Sequence, residues 1–381
     1  MLHTSKEEKN LINMLISFLN NINPRTLFTL STLILSIFGL VMVFSSSSVQ
    51  AMENHADPYF FLKKQTFYLG FGLVLFWISS KLKTEYLEKK YKFFYFLGFF
   101  LLALTLIPIL SKTAGGASRW IQIVGISLQP IEISKYLLLI FIAKHLIVKL
   151  DKINTFKIGI ISPFTLTLPY VIILLSQPDF GNTVLVLSTI FLMIIIAGAR
   201  LKHIIFSFIV LCVSFGTLIM AAPYRMKRLL TFLNPYEDPH GAGYQIIQSY
   251  VSFAKGKFLG VGLGNSSQKL FFLPQNHNDF IFSIIAEELG FLGCILTLIL
   301  FFSLFFSIYK MVLRAKDVFC RYLMSGILLI TLMQVIINIS VTIGLIPTKG
   351  VPLPLVSYGG SSLVFTLFSL GIILALDMRK K

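Results

Sequence analysis

Long apolar runs separated by short polar connections are the dominant pattern of the chain. About 20 apolar residues cross a bilayer as a helix. Runs of that kind fall at residues 27–47, 66–81, 93–111, 131–149, 158–176, 181–199, 203–222, 279–309, 320–344 and 355–377. The pattern predicts an all-α polytopic membrane protein with ten transmembrane helices, the second being the shortest. An even number of crossings puts both termini on one side. The chain then divides into an N-terminal segment 1–26, a ten-helix domain 27–377 containing a long connection at 223–278, and a tail 378–381. LINMLISFL, in the first segment, is too short to span and reads as a helix lying on the bilayer surface. That segment has no cleavable signal pattern.

Charge adds orientation. The 381 residues are 56% hydrophobic and only 13% charged, against about 25% charged for a soluble protein. Mean hydropathy is +0.82. The net charge of +17 does not indicate nucleic-acid binding, because the basic residues are scattered between apolar runs. Most of the 33 Lys and Arg lie in the N-terminal segment, in the connections after helices 2, 4, 6 and 8, and in the tail. KLKTEYLEKKYK (81–92) and KMVLRAK (310–316) are the clearest cases. Basic connections stay in the cytoplasm, so both termini are expected there. Cys212, Cys294 and Cys320 are widely spaced and read as packing residues, and no two of the six histidines have zinc-ligand spacing.

The outward connections are dense in Gly, Pro, Ser and aromatic residues: TAGGASRWIQIVGISLQPIE (113–132), SQPDFGN (176–182), 223–278 and IPTKGVPLPLVSYGGSS (346–362). Such backbone suits a segment that re-enters or covers a cavity. Glu132, Asp179 and Asp279 stand at the outward ends of helices 4, 6 and 8, so any chemistry is expected outside. A carboxylate at membrane depth costs about 2.5–3.5 kcal/mol. Asp279 reads either as a helix N-cap or as a base set against the apolar wall of Phe280 and Phe282. Glu287 and Glu288 follow ~12 Å deeper and turned about 80° and 180° away. No two-acid device can form on this helix, and both read as buried polar glue.

Glu132 and Lys135 have the i, i+3 spacing of a pair on one helix face, and Lys135 also suits a lipid diphosphate. Arg119 offers a phosphate fork and Trp120 an interfacial ring. Arg225, Lys227 and Arg228 stand just outside helix 7, against the charge asymmetry. They read as holding lipid headgroups or a diphosphate. GKFLGVGLGNSSQK (256–269) lacks the strand-to-helix context of a nucleotide loop and reads as a hinge or re-entrant turn.

GGASRWI, LQPIEISK, QPDFGN, NPYEDPHGAGYQIIQS, GVGLGNSSQKLFFLPQNHNDFIFSIIAEELG and GLIPTKGVPLPLVSYGGSS follow in that order. With them the chain resembles the SEDS family (shape, elongation, division and sporulation) from helix 1 to the C-terminus. GYQIIQS and GLGNSSQK look more like its division branch (FtsW) than its elongation branch (RodA). The resemblance implies a peptidoglycan glycosyltransferase that polymerises lipid II, a disaccharide-pentapeptide on undecaprenyl pyrophosphate, with no nucleotide or organic cofactor. Its essential aspartate carries over to Asp279. Arg119, Trp120, Glu132, Lys135, Arg225, Arg228, Gln248, Ser249, Lys349 and Ser357 are then the expected substrate-binding residues, with a divalent cation, Mg or Mn. The implied location is the bacterial cytoplasmic membrane, and the implied partners are a class B penicillin-binding protein and other divisome or elongasome membrane proteins. Ile131, Gln275, Asn278 and Thr342 depart from the common pattern, Gln275 replacing an acid. A lipid II flippase is the rival reading, since ten helices with intramembrane charges would serve transport too.

Overall fold

The computed structural model describes residues 23–379, except 115–116, 124–125, 222, 240, 242, 270–272, 274–276 and 349. The expected surface helix at the N-terminus lies outside the described residues. Helices occupy all ten apolar runs: α1 Pro24–His55, α2 Phe60–Ser80, α4 Tyr91–Ala103, α5 Ile131–Val148, α6 Ser162–Ser176, α7 Phe180–Ile196, α8 Leu201–Met220, α11 Ile281–Arg314, α12 Val318–Thr342 and α13 Gly360–Asp377. Three shorter helices lie between them: α3 Thr84–Lys89, α9 Pro223–Leu233 and α10 Tyr244–Gly256. By length and apolarity alone, six of the described helices qualify as membrane spans, and α2 and α5 are not among them. Both carry charge within their length: Lys63 and Lys64 in α2, and Glu132, Lys135 and Lys144 in α5.

Two boundaries differ from the sequence reading. α2 begins at Phe60, not residue 66, and takes in Lys63, Lys64 and Gln65. Lys63 pairs with Asp57 at 2.8 Å, and Gln65 is buried against the α13 entry loop, so these polar residues stabilise the extra turn. α1 continues through SSSS to His55, and the hydroxyls of Ser46 and Ser47 are satisfied within the helix on the carbonyls of Met42 and Val43. A third feature was not anticipated. The connection after α4 forms an antiparallel sheet, β1 Ser111–Ala114, β2 Ala117–Ile123 and β3 Ile126–Leu128, in the order β1-β2-β3 with Ile121 opposite Leu128.

Small residues let the helices approach. A Cβ on Gly371 of α13 would lie 2.3 Å from the Phe76 carbonyl of α2. Ser31 of α1 meets Ser303 of α11 at 2.7 Å. Arg25, at the start of α1, and Arg314, at the end of α11, both bind Asp377, at the end of α13. Both ends of the described chain therefore lie on one face of the bundle, and the start of α11 on the other.

α11 is interrupted at Gly290, whose φ of 65° no ordinary helix contains. The freed backbone groups are taken up by the glycine-rich loop after α10. Val261 N donates to Glu287 O and Gly262 N to Glu288 O, both at 3.0 Å. Phe291 N in turn donates to Lys257 O at 3.0 Å. A broken helix at membrane depth requires this reciprocal pairing.

Candidate active site at the helix ends opposite the termini

Asp279 lies in a turn just before α11. It is not the N-cap, which is Phe280, and its carboxylate makes no hydrogen bond among the described residues. The backbone around it is held from three sides. Asn338 Nδ2 donates to Asp279 O at 2.9 Å, Ser357 Oγ to Asn278 O at 2.6 Å, and Tyr358 N to His277 O at 2.9 Å. The His277 ring packs 4.8 Å from Phe61 and 5.6 Å from Tyr358. Burial pushes its pKa down to about 4, so it is neutral in any working range. Phe280 and Phe282 are buried, and the Phe282 ring packs against Phe253.

Burial pushes the Asp279 carboxyl up to about 7. Arg119 and Arg228 act against that shift, and Asp179 adds to it. The site thus contains two guanidinium groups and two carboxylates on four separate elements. Arg119, on β2, donates to Pro178 O at 2.6 Å and lies 3.8 Å from Asp179. Asp179 caps α7 through Asn182 and is buried. Arg228, on α9, donates to Thr348 O at 3.1 Å. Gly350 completes the wall: a Cβ there would lie 3.2 Å from Asp279 Oδ2.

The remaining expected residues divide. Glu132 and Lys135 form the anticipated pair at 2.6 Å, both wholly buried, with Lys135 Nζ also 3.1 Å from Gln334 Oε1. Ser357 accepts from Leu353 N at 2.9 Å while holding Asn278, so it supports the aspartate turn. Ser249 is fully buried and bridges α10 to Ser283 at 2.6 Å and to Thr342 O at 2.5 Å, an arrangement that gives substrate contact no support. Gln248 is half-buried on α10. Trp120 is half-buried and follows Arg119 on β2, so the two project to opposite faces of the strand. Arg225 lies on α9, but its side chain is outside the described residues, as is all of Lys349.

Glu287 and Glu288 serve as polar glue. Glu287 accepts from Ser267 N at 3.1 Å and Ser267 Oγ at 2.9 Å. Glu288 accepts from Ser45 Oγ at 2.5 Å and faces Lys269 at 3.7 Å. Sequence reasoning missed Gln65, Gln334, Asn338 and Gly350 as site-forming residues. The available signal was two amides four residues apart in the otherwise apolar run 320–344.

Fold and site together define a polytopic all-α membrane protein with a half-buried carboxylate that makes no hydrogen bond among the described residues and feels the charges of two arginines. The chain belongs to the FtsW, RodA and SpoVE family of cell cycle proteins, whose model matches residues 25–381. It is 39% identical over 350 residues to a probable peptidoglycan glycosyltransferase FtsW of Francisella salina, covering 91% of this chain and 87% of that one. It is 38% identical over 352 residues to the stage V sporulation protein E of Bacillus subtilis, covering 92% and 96%. Among solved structures, a peptidoglycan synthase complex coordinating polymerization and crosslinking superposes with a TM-score of 0.71. That match has 29% identity and covers 90% of this chain and 96% of that one. The rod shape determining protein RodA of Thermus thermophilus gives 0.66 and 26%, covering 92% and 95%.

Proposed function

We propose that this chain is a peptidoglycan glycosyltransferase that polymerises lipid II on the outer face of the cytoplasmic membrane, in the septal synthesis of cell division. The observation that carries this reading is the Asp279 carboxylate, which makes no hydrogen bond among the described residues, has its pKa raised to about 7 by burial, and feels the charges of Arg119 and Arg228. A general base works best with a pKa near the working pH. Asp279 takes the proton of the acceptor sugar's 4-hydroxyl as that oxygen attacks the anomeric carbon of the lipid-linked donor. The bond to the diphosphate breaks, its electron pair leaves with the lipid diphosphate, and the α-linked donor becomes a β-1,4 product by inversion. The leaving group needs no acid, only compensation of charge, which Arg228 and Arg119 supply. Lys135 is paired and wholly buried, so it acts through its partners Glu132 and Gln334 and not by touching substrate.

Among the described residues no three His, Cys, Asp or Glu gather as a metal site. Asp179 is tied to Asn182, whereas the Asp279 carboxylate makes no hydrogen bond among the described residues. A Mg or Mn ion is therefore proposed as a companion of the substrate's diphosphate, held largely by phosphate oxygens. When bound it would add charge compensation, and no step above depends on it. The partner we propose is a class B penicillin-binding protein within the division machinery, supported by the likeness to the synthase complex.

Polymerisation of lipid II by purified protein in detergent tests the reading. Asp279→Asn is expected to lower the rate ~10²–10⁴-fold, the usual contribution of a general base. Near-wild-type glycan formation by that variant would remove Asp279 from the role. Absence of polymer from the wild type, with lipid II crossing vesicle bilayers, would instead identify a flippase.

A further inference from the structure

The last turns of α12 carry two buried amides, Gln334 and Asn338, four residues apart and on one helix face. Gln334 Nε2 donates to Pro352 O at 3.1 Å, and its Oε1 accepts from Lys135 Nζ at 3.1 Å. Asn338 Nδ2 donates to two carbonyls on separate segments, Val351 O at 2.8 Å and Asp279 O at 2.9 Å. Turning the Asn338 amide over would set its oxygen against both carbonyls, so its orientation is fixed. Its Oδ1 is buried with no partner. An orphaned buried acceptor lowers stability, so packing alone does not account for an amide here.

We propose that Gln334 and Asn338 are positioning residues for the glycosyl transfer. They set the gap between the Asp279 carboxylate and the 350–352 backbone, and register that gap to the Glu132–Lys135 pair. The proposal rests on Asp279 being the base. The acceptor hydroxyl must come within about 2.6–3.2 Å of its carboxylate. Gly350 bounds that space so closely that even a Cβ would come within 3.2 Å of Oδ2. A misplacement of about 1 Å at such a point costs ~10²-fold in rate. Neither amide needs to touch substrate.

The test measures kcat, KM and the acid limb of the pH profile on the purified full chain with lipid II. Asn338→Leu removes both donors at similar volume and adds no charge. The charges acting on Asp279 (Arg119, Arg228 and Asp179) stay in place, and His277 stays neutral. The expected result is a kcat lower by ~10–100-fold, with KM changed by less than about threefold. The acid limb should stay in place, because no charge near Asp279 has changed. Gln334→Met should likewise lower kcat without moving the limb. Wild-type kcat in Asn338→Leu would overturn the proposal. If Asn338→Leu does not assemble in the membrane, wild-type kcat in Gln334→Met would overturn it. Asp279→Asn is run alongside: if it stays active the base assignment fails, whereas its inactivity beside an unaffected Asn338→Leu defeats the positioning role alone.

Discussion

Burial holds the Asp279 carboxyl near 7 while the two arginines oppose that rise, so its ionisation governs both turnover and stability. Polymerisation needs the carboxylate, and its rate should therefore rise with pH to half-maximum near 7. His277 loses its proton at about 4 and does not contribute to that limb. Stability runs the other way. Between the ordinary carboxylate range and about 7, the folded protein holds a proton that the unfolded chain has released. Stability therefore falls as pH rises through that window, and the loss is complete above it. Asp279→Asn removes a half-buried charge and should be more stable than the wild type at pH 8 by about 1–3 kcal/mol, a figure reduced for its partial exposure. The difference should vanish near pH 4. Thermal unfolding in detergent at both pH values measures this. An Asn variant that is less stable at pH 8 would mean that the carboxylate is a structural contact.

At the scale of the elements, the fit of the glycine-rich loop against the break in α11 carries the most stringent geometry. Gly290 lies at a φ of 65°, and a Cβ on it would meet Gly260 N at 2.3 Å. Both the backbone angle and the clash oppose a side chain. Gly290→Ala is expected to destabilise by about 2–4 kcal/mol, read as a lowered unfolding temperature. Gly216 of α8 has nothing within 4 Å, so Gly216→Ala should be neutral or slightly stabilising. Equal effects of the two would show that the loop does not brace the helix. The helices were legible in the sequence because apolar runs of membrane length have few other outcomes. The start of α2 was hidden because its first turn carries Lys63 and Lys64, which a hydropathy pattern assigns to a loop. The sheet at 111–128 was hidden by short strands broken by glycines and charges. Within the site, Asp279 stood out because a carboxylate at membrane depth is costly. Asn338 and Gln334 did not, since a neutral amide in an apolar run gives no comparable signal and its two carbonyl partners come from distant segments.

For the whole molecule, sidedness decides whether the chemistry can reach its substrate. The salt bridges of Asp377 to Arg25 and Arg314 place both ends of the described chain and the end of α11 on one face, so Asp279 opens on the other. The proposed orientation, with the basic connections and so the terminal face in the cytoplasm, can be tested at positions clear of the re-entrant packing. Gly256 packs so tightly on α11 that a Cβ would lie 1.8 Å from Ala286 O, which draws the loop after α10 in beside the broken helix. Glu237, exposed between α9 and α10, and Lys83, exposed after α2, avoid that region. In a chain with Cys212, Cys294 and Cys320 replaced, Glu237→Cys should react with a membrane-impermeant thiol reagent added to intact cells. Lys83→Cys should stay protected until the membrane is opened. The charge asymmetry of the short connections underlies this expectation, and it uses neither the family relationship nor the site geometry. The reverse labelling pattern would place Asp279 in the cytoplasm, where it could not polymerise glycan outside the cell, and the enzymatic reading would fall with it.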